Sequence, residues 1–332
     1  MKKVGRIALY IVCALLVFFL AIVLYNASWF DSPHGDGHIK LLAHRGVHQT
    51  FSHSGLENDT CTAERINPPT HDFIENTLPS MEAAFAAGAD VVELDVHLTP
   101  EKIFAVIHDW TVDCRTEGKG VTEDLGIAYL KSLDIGYGYT ADGGKTYPLR
   151  GKGVGLLPTL DEVLTRFPDK HFLINFKSRR TEEGEALAKL IAAHPEWRNA
   201  IWGSYGGGEP TDKSLALIDG LKGYTNKSMM KCVMDYEFTG WTGIVPGSCR
   251  NTIVVVPSNF AWAVWGWPHK FTRRMEEAGS TVILLGPLDM KDVGSTGIDN
   301  LDDLKQIPAG FAGYVWTNHI EMIGPELRKQ GR

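Results

Sequence analysis

The chain has 332 residues, 44% of them hydrophobic and 22% charged. These are ordinary proportions for a globular protein, and they exclude a disordered polymer, a coiled-coil rod and a repeat array. The net charge is −7, and removing the +3 of Lys2, Lys3 and Arg6 leaves −10 on a remainder with no Lys/Arg run. That balance speaks against nucleic acid as a partner.

In chain order, the first element is the apolar run Ile7 to Tyr25, 19 residues without a charge. As a helix it is long enough to cross a bilayer. The positive charges before it place residues 1–6 in the cytoplasm and the chain beyond residue 25 outside. A cleaved signal peptide would have a shorter apolar core and a small-x-small site, and Leu24-Tyr25-Asn26-Ala27-Ser28 is a poor one. An uncleaved span over 7–25 is therefore expected, then a linker over 26–37 and one domain over 38–332. The expected setting is a bacterial inner membrane with the domain on the periplasmic side.

Strand-forming residues 39–43 run into His44-Arg45-Gly46. The long polar stretch 47–74 reads as a lid or rim. Asn76 or Thr77 caps a helix that carries Pro79 in its first turn, has Leu78, Met81 and Phe85 at helical spacing, and stops before Gly88. Residues 91–96 form a strand in which Glu93 and Asp95, two apart, share a face. A strand over 103–107 ends in His108-Asp109. Thr159 and Glu162 form a capping box for another helix. Further strands are predicted at 172–177, 200–204, 230–234, 252–257, 281–286 and 313–317, with helices at 182–193, 211–221 and 269–278. Gly206-Gly207-Gly208 reads as a flexible surface loop, because no Gly-Lys-Ser/Thr follows.

This alternation predicts parallel strands with crossover helices, and the length fits an α/β fold of the (β/α)8 TIM-barrel type. Nine candidate strands are one too many, so one of the last four is expected to be misassigned or outside the barrel. Polar groups delivered at strand ends are how such a barrel builds a site. The pair Glu93 and Asp95 suits a hard cation, and His44 and His108 suit an acid and a base. The other histidines read as structural or surface residues, His97 being the nearest challenger because its strand phase matches Glu93 and Asp95. Apart from Cys13 in the apolar run, four cysteines remain for an oxidising compartment. Three pairings are open. Cys61–Cys114 is favoured because both flank the candidate site, and Cys232–Cys249 because they bracket one loop-rich stretch. No Cys-x-x-Cys or His-x-x-x-His spacing supports zinc.

Taken together, His44-Arg45-Gly46, Glu75-Asn76-Thr77, Gly88-Ala89-Asp90-Val91-Val92-Glu93-Leu94-Asp95-Val96, His108-Asp109, Arg115-Thr116 with Gly118-Lys119-Gly120, and Pro158-Thr159-Leu160-Asp161-Glu162 resemble the glycerophosphodiester phosphodiesterase family. The resemblance covers roughly residues 40–178. It implies metal-dependent hydrolysis of glycerophosphodiesters to glycerol 3-phosphate and an alcohol, with His44 and His108 as the acid/base pair. Read from the residues themselves, Glu93 and Asp95 are expected on Mg2+ or Ca2+, Arg45 beside His44 is a fork for a phosphoryl oxygen, Lys177 in phase with Asn175 reaches phosphate, and Glu75 assists by hydrogen bonds or as a further ligand. One departure stands out: Asn175-Phe176-Lys177 replaces the family's Glu-x-Lys, so Asn175 offers the cation an amide oxygen in place of a carboxylate. Either metal affinity falls or Glu75 or Glu123 compensates. The Asn-x-Lys arrangement also resembles that of spider sphingomyelinase D relatives.

The segment Gly313 to Asn318 departs from the family's Gly-x-x-Thr-Asp, and Trp316 in it either walls the pocket or packs. Trp262, Trp265, Trp267 and Phe260 form an aromatic cluster, expected to pack on the barrel exterior more than to form a greasy lip. Two other functions stay open: phospholipase D-like action on lysophospholipids or sphingolipids, and a catalytically weak barrel that binds a phosphorylated envelope ligand.

Overall fold

The computed structural model describes residues 2–31, 38–52, 55–57, 60–289 and 296–331. Linker residues 32–37 lie outside the described residues, as do His34 and His53. Helix α1 (Lys2–Asn26) is exposed along most of its described length and meets the rest of the chain near its end. Its segment Val4–Asn26 has a mean hydropathy of 3.2 and is long and apolar enough to cross a membrane.

The remainder folds as a (β/α)8 barrel. Its parallel strands are β1 (Lys40–His44), β2 (Val91–Leu98), β4 (His171–Phe176), β5 (Ile201–Gly206), β6 (Lys222–Tyr224), β7 (Ile253–Pro257), β8 (Thr281–Leu285) and β9 (Tyr314–Thr317), paired in the order β6-β5-β4-β2-β1-β9-β8-β7. The seam between β6 and β7 is bridged by Thr252 Oγ1, which donates to the Gly223 carbonyl at 2.6 Å. Helices α2 (Leu78–Ala87), α3 (Ile127–Ser132), α4 (Leu160–Arg166), α5 (Thr181–Ala193), α6 (Gly208–Leu217), α7 (Asn226–Thr239), α8 (His269–Glu277) and α9 (Ile320–Lys329) accompany the strands. Strand β2 is buried along its whole length, as a central parallel strand must be.

Local chemistry sets the helix ends. Thr77 caps α2 by accepting from the Ser80 N–H, and Gly88 closes it in the left-handed conformation at φ +107°, which glycine adopts without a Cβ penalty. Thr159 and Glu162 form the reciprocal capping box of α4.

Two strand expectations need correction. Residues 230–234 lie inside α7, and the fifth barrel strand is the short β6 just before it. So one of the last four candidates is misassigned, as expected; in addition β3 (Phe104–Val106) lies outside the barrel and pairs antiparallel with β2 as a hairpin. Period-2 alternation alone does not distinguish a hairpin return from a crossover strand.

The stretch 47–74 contains a 3-10 turn at Thr62–Arg65 and a bridge between Phe51 and Ile66. A disulfide between Cys61 and Cys114 ties it to the loop after His108. A second disulfide joins Cys232 in α7 to Cys249. Trp265 and Trp267 pack against the barrel core, while Trp262 is 82% exposed.

Candidate active site

Glu93 and Asp95 point from β2 into the barrel mouth and are fully buried. Arg45, the first residue after β1, adopts φ +56°, and Asn76 adopts φ +60°. Neither is glycine, and holding both in the left-handed region costs roughly 1–2 kcal/mol each. The contacts that repay this are specific. The Arg45 carbonyl accepts from the Asn76 N–H and from Ser80 Oγ, both at 3.0 Å. Gly46, at φ +78°, lies so close to Ser80 that a Cβ would collide with it.

So positioned, Arg45 places Nε 3.1 Å from Asp95 Oδ2 and Nη1 3.1 Å from Glu75 Oε1, while its backbone N–H faces Glu93 Oε2 at 3.2 Å. Asn76 Nδ2 donates to Asp95 Oδ2 at 2.9 Å, and Asn175 Nδ2 donates to Asp95 Oδ1 at 2.8 Å. Lys177 Nζ lies 3.6 Å from Asp95 Oδ1, and the Tyr205 hydroxyl donates to Glu93 Oε1 at 2.8 Å.

The two acids are therefore in unequal fields. Burial pushes the Asp95 carboxyl up, but Arg45 and Lys177 outweigh it and hold Asp95 well below the usual range. For Glu93, burial and then the neighbouring Asp95 charge both push upward, and Arg45 only partly answers them. Two buried carboxylates this close leave one short of compensating charge. Glu75 is settled differently: Arg115 and Arg45 overcome its burial and keep it ionised.

His44, at the end of β1, sets Nδ1 2.6 Å from Asn318 Oδ1 and Nε2 3.8 Å from Glu93 Oε2. Asn318 is itself fixed by Asp299, which accepts from the Asn318 N–H at 2.6 Å and from Nδ2 at 2.8 Å. An amide oxygen can only accept, so His44 carries its proton on Nδ1 and turns the Nε2 lone pair outward. Burial and then Arg45 hold the imidazole well below its ordinary value of 6.5.

His108 follows the β2–β3 hairpin. Its Nδ1 lies 2.8 Å from Asp109 Oδ1, Asp109 Oδ2 accepts from Arg115 Nε at 2.7 Å, and Arg115 Nη1 reaches Glu75 Oε2 at 3.0 Å. Burial, Arg45 and Lys177 lower His108 to about 4, against the opposing pull of Asp95 and Asp109. Both imidazoles are thus neutral in the free protein near pH 7.

His44, Arg45, His108, Asn175 and Lys177 all line one open cleft of about 900 Å³ at the carboxyl ends of the strands, rimmed by Phe51, Leu56, Glu57, Thr60 and Thr62 of the 47–74 stretch. Trp316 does not line it. It is buried behind His44, ring centroids 5.0 Å apart. The tryptophan cluster at 262–267 does not line it either. The glycine run read as a surface loop turns out to be a wall of the cleft: Gly206 ends β5 at φ +99°, where a Cβ would collide with Asn175. His97 is buried beside the site but faces Glu123 at 3.2 Å and the His108 carbonyl at 3.3 Å, and Glu123 is further paired to Arg180. Neither joins the carboxylate pair.

Sequence reasoning assigned no role to Tyr205, Asn318, Asp109 or Arg115. Asp109 and Arg115 belong to the family-like motifs, but their spacing carries no sign of the relay they form. Tyr205 sits within the glycine-rich stretch that reads as a loop and so escapes notice.

Among the described residues no group of three or more His, Cys, Asp or Glu side chains is arranged to hold a metal. The oxygen set at the mouth is instead two carboxylates and the Asn175 amide. Its chemistry fits a hard divalent cation, since Glu93 lacks compensating charge.

Fold and site together define a (β/α)8-barrel protein with a polar, two-histidine mouth. A family model described as glycerophosphoryl diester phosphodiesterase family matches residues 44–194. The chain is 40% identical over 103 residues to a glycerophosphodiester phosphodiesterase of Caldanaerobacter subterraneus, covering 31% of this chain and 39% of that one. It is 40% identical over 124 residues to a glycerophosphodiester phosphodiesterase of Bacillus subtilis, covering 36% and 40%. The chain thus spans about two fifths of the length of these curated relatives. A glycerophosphodiester phosphodiesterase from Agrobacterium tumefaciens superposes with a TM-score of 0.56 at 18% identity, covering 87% of this chain and 100% of that one. An Oleispira antarctica phosphodiesterase solved with sn-glycerol-3-phosphate superposes with a TM-score of 0.52 at 19% identity, covering 87% and 96%. At these identities the structural likeness concerns the fold.

Proposed function

We propose that this chain hydrolyses glycerophosphodiesters to glycerol 3-phosphate and an alcohol. The observation that carries the reading is the convergence of two neutral imidazoles, His44 and His108, with Arg45 and Lys177 on one cleft above the Glu93–Asp95 pair.

A phosphodiester resists attack because its charge repels nucleophiles and its leaving alkoxide is basic. In this reading Arg45 and Lys177 bind the phosphoryl oxygens. His44 Nε2 takes the proton from the glycerol hydroxyl beside the phosphate as that oxygen forms its bond to phosphorus. His108 gives a proton to the departing alcohol oxygen as the old P–O bond breaks. The cyclic phosphate is then opened by water with the two roles reversed. His108 needs a proton to act first, and the substrate supplies the reason it acquires one. Its negative phosphate offsets Arg45 and Lys177, the cations that help hold His108 low.

A Mg2+ or Ca2+ ion would be held by Glu93 and Asp95, with the Asn175 oxygen once its amide turns over. When bound, it withdraws charge from the phosphoryl oxygens.

Helix α1 is read as an uncleaved span, residues 1–6 in the cytoplasm and the barrel of residues 38–332 outside. Lys2, Lys3 and Arg6, the two disulfides and the close seating of the helix end on the barrel support this.

The test is release of phosphomonoester and alcohol from glycerophosphocholine, glycerophosphoethanolamine and lysophosphatidylcholine, with Mg2+, Ca2+ or EDTA. Turnover lost in EDTA and in His44→Ala supports the proposal. A folded protein inactive on all three substrates with either metal overturns it and leaves ligand binding as the function. Preference for lysophosphatidylcholine would favour the phospholipase D-like reading.

A further inference from the structure

The end of α1 does not simply trail into a linker. Asn26 Nδ2 donates to the Trp241 carbonyl at 2.9 Å, and Arg274 Nη1 donates to Asn26 Oδ1 at 2.9 Å. Ser28 Oγ donates to the Gly266 carbonyl at 2.6 Å, and Lys270 Nζ donates to the Tyr25 carbonyl at 2.6 Å. These bonds fix the helix end on the turn Gly240–Thr242 that follows α7, and on α8. Two turns further back along α1, Phe18 meets the Trp241 ring edge-on with centroids 6.3 Å apart. Asn26 and Phe18 are separated by about 12 Å along the helix axis. The Trp241 backbone is therefore level with the end of the apolar segment, and its ring reaches back along that segment.

The same end of the barrel exposes other apolar side chains. Phe238 is 78% exposed and Ile244 62% exposed, flanking Trp241, and Met230 and Met234 lead toward them along α7. Exposed aromatic and branched side chains beside an apolar helix are what a membrane interface accepts. The opposite end of α7 differs. Asn226 and Lys227 line the cleft, and Glu57, Arg179, Glu209 and Asp212 charge its rim. Charged groups of this kind do not enter hydrocarbon. Fourteen helical residues of α7 separate the two ends, about 21 Å of axial length.

We propose that the turn Phe238–Ile244 is a second membrane contact, dipping into the lipid beside α1. The barrel then stands with its closed end toward the bilayer and its mouth toward water. This rests on α1 being a span and bears on the substrate of the proposed function: the cleft meets diesters arriving from solution, and lipids embedded in the same bilayer lie on its far side.

The experiment uses the full chain in phosphatidylcholine nanodiscs, with Cys13→Ala to free the labelling chemistry and a single added cysteine at 244 (Ile244→Cys) or 226 (Asn226→Cys). Each carries an environment-sensitive fluorophore. Acyl-chain-brominated lipid is expected to quench the label at 244 several-fold more than the label at 226, and aqueous iodide to do the reverse. Lipid quenching at 226 equal to or above that at 244 overturns the proposal, as does iodide quenching at both with no lipid quenching. The readout does not depend on turnover, so an inactive protein with the expected pattern would refute the hydrolase and leave the orientation standing.

Discussion

Asn318 Oδ1 lies 2.6 Å from His44 Nδ1, and the two residues are 274 positions apart in the chain. The contact forms because β9 pairs with β1, Thr317 opposite Ala43. It makes the tautomer of His44 a product of barrel closure. Asn318→Ala should lower kcat by about tenfold with a smaller change in KM, since a base with its lone pair misdirected binds substrate but transfers the proton poorly. Steady-state kinetics on glycerophosphocholine would decide it. A change confined to KM would give Asn318 a binding role instead.

Removal of either imidazole should be severe. His44→Ala and His108→Ala are each expected to cost on the order of a thousandfold in kcat, with an unchanged circular dichroism spectrum. Wild-type-like turnover in either variant would remove that histidine from the mechanism.

The amide at 175 makes a directional prediction. Asn175→Glu returns a carboxylate to the mouth and should tighten divalent cation binding by about tenfold, since affinity for hard cations follows ligand charge. Isothermal titration with Ca2+ reads this directly. Unaltered affinity would mean that residue 175 does not touch the ion and serves only to orient Asp95, to which it donates at 2.8 Å.

The buried histidines also set a pH dependence. His108 falls from 6.5 to about 4 on folding, so between those values the unfolded chain binds more protons than the folded one. Stability from this group is complete above pH 6.5 and is lost as pH falls toward 4, by up to about 3 kcal/mol. Glu93, pushed upward, acts with the opposite sign. The difference in Tm between wild type and His108→Gln is therefore the useful quantity. It should change steadily across pH 6.5 to 4; a flat difference would show that His108 titrates normally in the fold.

The rim depends on a covalent staple. Cys61 and Cys114 are 53 residues apart in sequence, and losing a cross-link over such a loop costs about 4 kcal/mol in the chain-entropy account. Cys61→Ser with Cys114→Ser should lower Tm by several degrees and expose the 47–74 stretch to protease first. Uniform susceptibility along the chain would argue against a locally held rim.

The barrel and most of the mouth were legible because they are written locally. Each of His44, Glu93, Asp95 and Lys177 sits at or near a strand end, in a phase that periodicity reveals. Strand β6, three residues long, carried too little pattern to be seen beside α7, whose spaced Met230, Val233 and Met234 imitate an apolar strand core. The hairpin nature of β3 was hidden for a related reason: parallel and antiparallel strands share one side-chain period. Tyr205, Asn318 and Arg115 contribute through partners more than a hundred, two hundred and thirty residues away respectively. Pairings of that kind exist only after the chain has closed on itself.

That closure has a consequence in time. A nascent chain that has emerged as far as β8 already possesses His44, Glu93, Asp95 and His108, yet lacks the amide oxygen that fixes the tautomer of His44. Strand β9 completes the wall and the proton position in one step. The barrel is thus built so that the His44 ring comes into order only when the last strand is laid beside the first.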